Sequence, residues 1–264
     1  MEKYAFDNAW IHARQRLRAL EHLLDPGTIR HLEALGVGEG WHCLEVGAGG
    51  GSIAEWLFQR VGQRRYVMAT DLDTRFLEAL NAPNLEVRRH DIVSEDLPEG
   101  KFDLVLSRLV LEHIRERERA LRRMLSALKP GGWLVCEDAD NVSVALLSPT
   151  DAASNALFMK IEQGRDRAMS ARGHVYCGRH LYGFLQSLGL AEVGAEGRVP
   201  LLCAGTPAIH WKRLSVEQLR KDIVNAHLAT ETEIDAYLAL LDSPNFAAQG
   251  FIVMTAWGHR SNEA

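Results

Sequence analysis

Between residues 41 and 137, short apolar runs alternate with amphipathic stretches. The segments Trp41–Val46, Tyr66–Thr70, Leu85–Arg89, Phe102–Leu106 and Trp133–Glu137 are strand candidates, and the apolar runs around Cys43 and Cys136 read as buried strands. Ser52–Val61, Thr74–Leu80 and roughly Glu112–Leu128 carry apolar residues at helical spacing and predict helices between them. Such alternation predicts a parallel, doubly wound α/β sheet with crossover helices on its faces. The mixed charges of Arg115–Arg123 fall at helical spacing and read as a solvated face with i,i+4 pairs.

The flanks are less regular. Asp7 or Asn8 is positioned to cap a first helix that carries Trp10, Ala13, Leu17, Leu20 and Leu24 on one face, and Pro26-Gly27 is expected to end it. Arg14, Arg16 and Arg18 fall mostly on its other faces, and a second short helix is expected over Thr28–Leu35. Residues 139–178 read as an insertion of loops with a helix around Asn155–Arg167. A helix at His180–Leu188 and a strand at Ala191–Arg198 follow. Two more helices are expected from the capping boxes Ser215/Gln218 and Thr230/Glu233, and Phe251–Trp257 reads as a closing strand. No repeat or low-complexity linker intervenes. The expectation is therefore one domain over 1–264, with a helical cap (1–36), a core (37–138) and a helical cover with the last strands (139–264).

Chemistry concentrates at the end of the first strand, in Cys43-Leu44-Glu45-Val46-Gly47-Ala48-Gly49-Gly50-Gly51-Ser52. An apolar strand ends in an acid, a glycine-rich turn follows, and a helix begins. Glycines permit the sharp turn and let a ligand approach bare N–H groups at the helix N-terminus. A dinucleotide fingerprint G-x-G-x-x-G would need glycine or alanine at position 52, where Ser52 stands. The second strand ends Ala69-Thr70-Asp71-Leu72-Asp73, the third Arg89-His90-Asp91-Ile92, and the fourth Phe102-Asp103-Leu104-Val105-Leu106-Ser107-Arg108-Leu109. Leu128-Lys129-Pro130-Gly131-Gly132-Trp133 leads into the fifth.

This ordered set resembles the motifs of class I S-adenosylmethionine (SAM)-dependent methyltransferases of the small-molecule, natural-product type. The resemblance implies a Rossmann-like, mostly parallel seven-stranded sheet with an N-terminal helical lid and a helical insertion after the fifth strand. It implies SAM as cofactor and S-adenosylhomocysteine as product. Gly47, Ala48, Gly49 and Gly51, preceded by Glu45, would cradle the cofactor. Asp71 would hold the ribose hydroxyls, with Leu72 beside it, whereas Asp73 reads as a helix cap. Asp91 would face the adenine amino group and Ile92 would pack nearby. Ser107 and Arg108 would lie under the amino-acid part. In the lid, Tyr4, Phe6 and Trp10 would cover the cofactor, and Arg16 would pair with its carboxylate. His113 and His174 are the candidate bases if the acceptor must lose a proton.

Bulk properties narrow the field. With 264 residues, 47% hydrophobic and 25% charged, the chain has an ordinary globular composition. A net charge of −5 argues against a broad basic face for nucleic acid. No apolar stretch is long enough to span a bilayer, and the N-terminus lacks a secretory layout, so a cytoplasmic protein that contacts no membrane is expected. The 4 cysteines are far apart and read as reduced thiols, and no metal-ligand spacing occurs. A small-molecule acceptor is the expected partner, and a homodimer is left open. Competing readings are a SAM-binding protein that catalyses a non-methyl reaction such as cyclisation, a non-enzymatic SAM-binding module and, more distantly, an NAD-linked dehydrogenase.

Overall fold

The apolar runs become strands where the pattern puts them: β1 (Cys43–Val46), β2 (Val67–Asp71), β3 (Leu85–Arg89), β4 (Phe102–Arg108) and β5 (Leu128–Asp140). The computed structural model describes residues 6–170 and 174–262. In it the chain divides into two compact units: Leu24–Asp138 with Cys177–Gly197 and Met254–Ala264, and Met1–Leu23 with Ala139–Tyr176 and Arg198–Val253.

The first unit holds a seven-stranded sheet. Its remaining strands are β7 (Ala191–Arg198) and β10 (Ile252–His259), and the order is β3-β2-β1-β4-β5-β10-β7. The pairs β1–β2, β2–β3, β1–β4 and β4–β5 are parallel, with Glu45 opposite Ala69 and Leu106, and Ser107 opposite Cys136. Side chains alternate between two cores. Leu44, Val46, Met68, Val105 and Leu134 pack on one face, and Cys43, Val67, Leu104, Leu106 and Val135 on the other. Helices α2 (Ser52–Arg60), α3 (Arg117–Ala127) and α5 (Leu181–Ser187) complete these layers, with Ile53 and Leu57 from α2 and Leu121 and Met124 from α3. On the outer side of α3, Arg122 pairs with Glu118 one turn earlier, as its charge spacing predicts.

The second unit contains α4 (Ala152–Ser170), α6 (Pro207–Asn225) and α7 (Glu231–Leu241). It also holds an antiparallel sheet of β6 (Ala145–Ser148), β9 (Ala247–Gln249) and β8 (Leu201–Cys203), which the apolar pattern does not announce. Its helices enclose an ionic cluster: Lys212 Nζ donates to Glu162 Oε2 at 2.7 Å, Tyr237 Oη donates to Glu162, and Arg165 Nη2 lies 3.5 Å from Glu162. Burial works against the charge on Glu162, but Lys212 and Arg165 outweigh it and hold the carboxyl down at about 2.

Four expectations are corrected. Pro26 does not end the first helix, because α1 runs unbroken over Ala13–Ala34 with Pro26 inside. Side-chain bonds hold its last turns: Thr28 Oγ1 donates to Glu137 Oε1 at 2.8 Å, and Asp25 accepts from Arg108 and Ser52. Nor does Asp7 cap that helix; its carboxylate accepts from Ala9 N–H in a turn before it. Thr74–Leu80 forms successive turns instead of a helix, closed by Leu77 N–H to Thr74 O and Leu80 N–H to Leu77 O. Ser215 begins nothing: it lies inside α6 and bonds back to Trp211 O at 2.8 Å, while the Thr230/Glu233 box does cap α7. Among the described residues no helix is long and apolar enough to cross a membrane, and no group of three His, Cys, Asp or Glu is placed to hold a metal ion.

Candidate functional site

The glycine-rich turn lies at the carboxyl end of β1, the end at which doubly wound sheets bind ligands. Gly47, Gly49 and Gly51 have φ of 72°, 57° and 91°, left-handed values that favour glycine. The turn is tied to β2: Gly47 and Ala48 donate to Thr70 O at 2.8 and 2.9 Å, and Gly49 donates to Asp71 Oδ2 at 2.9 Å. A Cβ on Gly47 would stand 2.3 Å from Val110 Cγ2, and one on Gly51 2.7 Å from Leu80 Cδ1. At these two positions the turn has no room for a side chain.

Asp71 occupies the end of β2. Its second oxygen accepts from Asp73 N–H at 3.0 Å. Burial pushes its carboxyl above the ordinary value despite these N–H donors. Asp73 caps no helix, since Thr74–Leu80 forms none; it accepts from Arg75 N–H within the turns and pairs with the Arg75 guanidinium at 2.8 Å. Beside them opens a hollow of about 460 Å³, lined by Leu72, Asp73, Thr74, Arg75, Glu78 and Arg89. Leu72 is half exposed at its wall. At the end of β3, Asp91 accepts from Val93 N–H at 2.9 Å and from Ser94 Oγ at 2.8 Å. Burial opposes the charge on Asp91, yet these donors hold its carboxyl low. Ile92 is buried in the core. His90 was not singled out by the strand-end pattern: its ring is buried and neither nitrogen is hydrogen-bonded among the described residues. A buried polar group between two motif positions was the only signal for it.

Under the turn lie the buried Glu45 and Ser107. Arg108 donates to Asp25 Oδ1 at 2.8 Å, to Thr28 Oγ1 at 3.2 Å and to Ser52 Oγ at 3.3 Å. Burial works against its charge, but Asp25, Glu137 and Glu45 outweigh that and raise its pKa. Thus Glu45, Gly47, Ala48, Gly49, Gly51, Asp71, Leu72, Asp91, Ile92, Ser107 and Arg108 all border the carboxyl ends of β1 to β4. His113 follows β4 in a short turn with its Nε2 3.2 Å from Glu112 Oε1. Arg16, by contrast, belongs to the second unit, where its guanidinium lies over the Phe6 ring at 4.3 Å. His174, exposed, also belongs to that unit. Tyr4 lies outside the described residues.

Residues 44–136 match a family described as "Methyltransferase domain". The ubiquinone/menaquinone biosynthesis C-methyltransferase UbiE of Azotobacter vinelandii is 28% identical over 138 residues, covering 49% of this chain and 54% of UbiE. The hybrid PKS-NRPS synthetase mycA of Thermothelomyces thermophilus is 31% identical over 112 residues, 38% of this chain and 3% of the synthetase. The chain thus spans about half the length of one relative and a small fraction of the other. Among solved structures, YcgJ from Bacillus subtilis has a TM-score of 0.56 at 16% identity, covering 88% of this chain and 99% of YcgJ. Phosphoethanolamine N-methyltransferase 2 of Haemonchus contortus, crystallised with phosphomonomethylethanolamine and S-adenosylhomocysteine, has a TM-score of 0.54 at 16% identity, over 94% of this chain and 52% of its own. These structural likenesses establish a shared fold.

Proposed function

We propose that this chain, which carries a class I SAM-dependent methyltransferase domain, transfers the methyl group of SAM to a small-molecule acceptor. The observation that carries this reading is the join between the glycine-rich turn and Asp71: a turn whose Gly49 N–H is fastened to a carboxylate at the next strand end. A carboxylate there can accept from two neighbouring ribose hydroxyls with its remaining lone pairs. Beside the turn the buried Glu45 faces the Arg108 guanidinium, so this end of the sheet carries one charged group of each sign.

Leu72 offers an apolar wall, and His90, unbonded among the described residues, and the Asp91 carboxylate offer polar groups for the base. Ser107 and Arg108 bound the amino-acid end, where Arg108 can attract a carboxylate. When bound, SAM supplies a methyl group already activated by its positive sulfur. The protein's part is to align the acceptor with it and to exclude water. The name of UbiE, a C-methyltransferase, supports a metabolite as the acceptor class.

Calorimetry tests the cofactor: S-adenosylhomocysteine is expected to bind and NADH to leave that binding unchanged. Incubation with methyl-labelled SAM and a metabolite extract tests the transfer, with label expected on a small molecule. NADH binding without any response to S-adenosylhomocysteine refutes the reading.

A further inference from the structure

β4 is followed by a strained reversal. Leu109 has φ of 53°, a left-handed conformation that leucine seldom takes, and its N–H is fixed to Glu137 O at 2.7 Å. The reversal lays Val110 against Gly47 of the glycine-rich turn. A single helical turn, Leu111–His113, follows at once, closed by His113 N–H to Val110 O at 3.0 Å. Glu112 donates its backbone N–H to Asp138 Oδ1 at 3.1 Å, so this turn is pinned to the end of β5. The Glu112 carboxyl in turn meets the His113 imidazole, Oε1 to Nε2 at 3.2 Å.

Glu112 is 5% exposed and Asp138 0%, and Asp138 Oδ2 makes no hydrogen bond among the described residues. Two carboxyls so deeply buried are costly, and packing alone gives no reason for them. Burial, and next the charge of Glu112, push Asp138 well above the carboxylate range; Glu137 faces it too, as does the Cys177 thiol beside Arg117.

We propose that His113 is the base that takes a proton from the methyl acceptor, with Glu112 orienting its imidazole and Asp138 positioning the turn. This deepens the methyl-transfer reading and rests on it. It also narrows the acceptor to a group that gives up a proton on methylation, a phenol or an enol-type oxygen or carbon. The acceptor's electron pair forms the new bond to the methyl carbon, the carbon–sulfur bond breaks with its electrons going to sulfur, and the released proton passes to the imidazole and then to water. An acceptor with no proton to lose, such as a thioether or a tertiary amine, would have no use for this arrangement.

The test measures transfer from methyl-tritiated SAM to catechol, acetylacetone, dimethyl sulfide and trimethylamine, alongside S-adenosylhomocysteine binding. Label is expected on catechol or acetylacetone. With the better of the two, His113→Ala should lower kcat/KM by about 10²-fold or more while binding S-adenosylhomocysteine within about two-fold of the parent. Added imidazole should restore the rate in proportion to its free base, which a merely structural histidine would not allow. Glu112→Gln should reduce kcat and change the acid limb of the pH–rate profile. Label only on the thioether or amine, no label on any probe, or a parental rate in His113→Ala overturns the proposal. Failure of the parent to bind S-adenosylhomocysteine would instead refute the methyl-transfer reading beneath it.

Discussion

Replacing Asp71 by alanine removes one side chain with an observed structural duty and a second, proposed one toward the cofactor. In the folded protein it accepts from Gly49 N–H at 2.9 Å and Asp73 N–H at 3.0 Å. Bonds to a charged acceptor contribute about 1.5–3 kcal/mol each when nothing replaces them. Gly49 and Asp73 are only half buried, so water recovers part of that. A net loss of about 1–2 kcal/mol follows, or about 2–8 °C in Tm for a chain of this size. The second duty, toward the ribose hydroxyls, should cost a further one to two decades, roughly, in S-adenosylhomocysteine affinity. Burial raises the Asp71 carboxyl, so cofactor affinity should also fall as pH drops toward that raised value, and Asp71→Asn should lose this dependence. Calorimetry at several pH values, paired with thermal melts, separates the two duties. Asp73→Ala, which removes a local turn cap, should change affinity far less. Asp71→Ala that stays folded and binds S-adenosylhomocysteine like the parent would assign the ribose to another residue.

Other expectations follow from single contacts. Gly47→Ala should lower Tm and weaken S-adenosylhomocysteine binding, because its Cβ would stand 2.3 Å from Val110 Cγ2 at a φ of 72°; adding Val110→Ala should restore part of both. Lys212→Met should cost about 3–5 kcal/mol in chemical denaturation, since it leaves Glu162 buried without its direct cationic donor. Asp138 holds its proton more tightly folded than unfolded, so its contribution to stability should decline as pH rises from the ordinary carboxylate range toward its raised value. Melts of Asp138→Asn should show a flatter pH dependence than the parent over that window.

The legible parts of this chain are those in which local sequence decides local structure. β3 and β7 fall on the residues that the pattern marks, though neither is fully buried, and the Thr230/Glu233 box caps α7, since a pair of side chains three residues apart suffices to specify it. Pro26 shows the opposite case. A helix-breaking residue is carried inside α1 by bonds from Thr28 to Glu137 and from Arg108 to Asp25, partners more than eighty positions away. The Ser215 box fails for a related reason: α6 has already begun at Pro207, and inside a helix a serine bonds back to the preceding turn.

The same division runs through the site. The position of Asp71 could be named from sequence because it stands at a strand end beside a glycine-rich turn, two features that one stretch of motif order supplies, and the structure ties the two together through Gly49. Glu112 and Asp138 could not be named, because each is unremarkable alone. Their meaning depends on β4 and β5 being neighbours in register, Arg108 opposite Glu137, so that residues 26 positions apart meet just past the paired ends. A histidine one residue from an acid is common in sequences. A histidine whose neighbouring acid is anchored to a second, fully buried acid, on a turn that a left-handed leucine lays against the glycine-rich turn, exists only in the folded chain, and it is that conjunction which carries the proposed base.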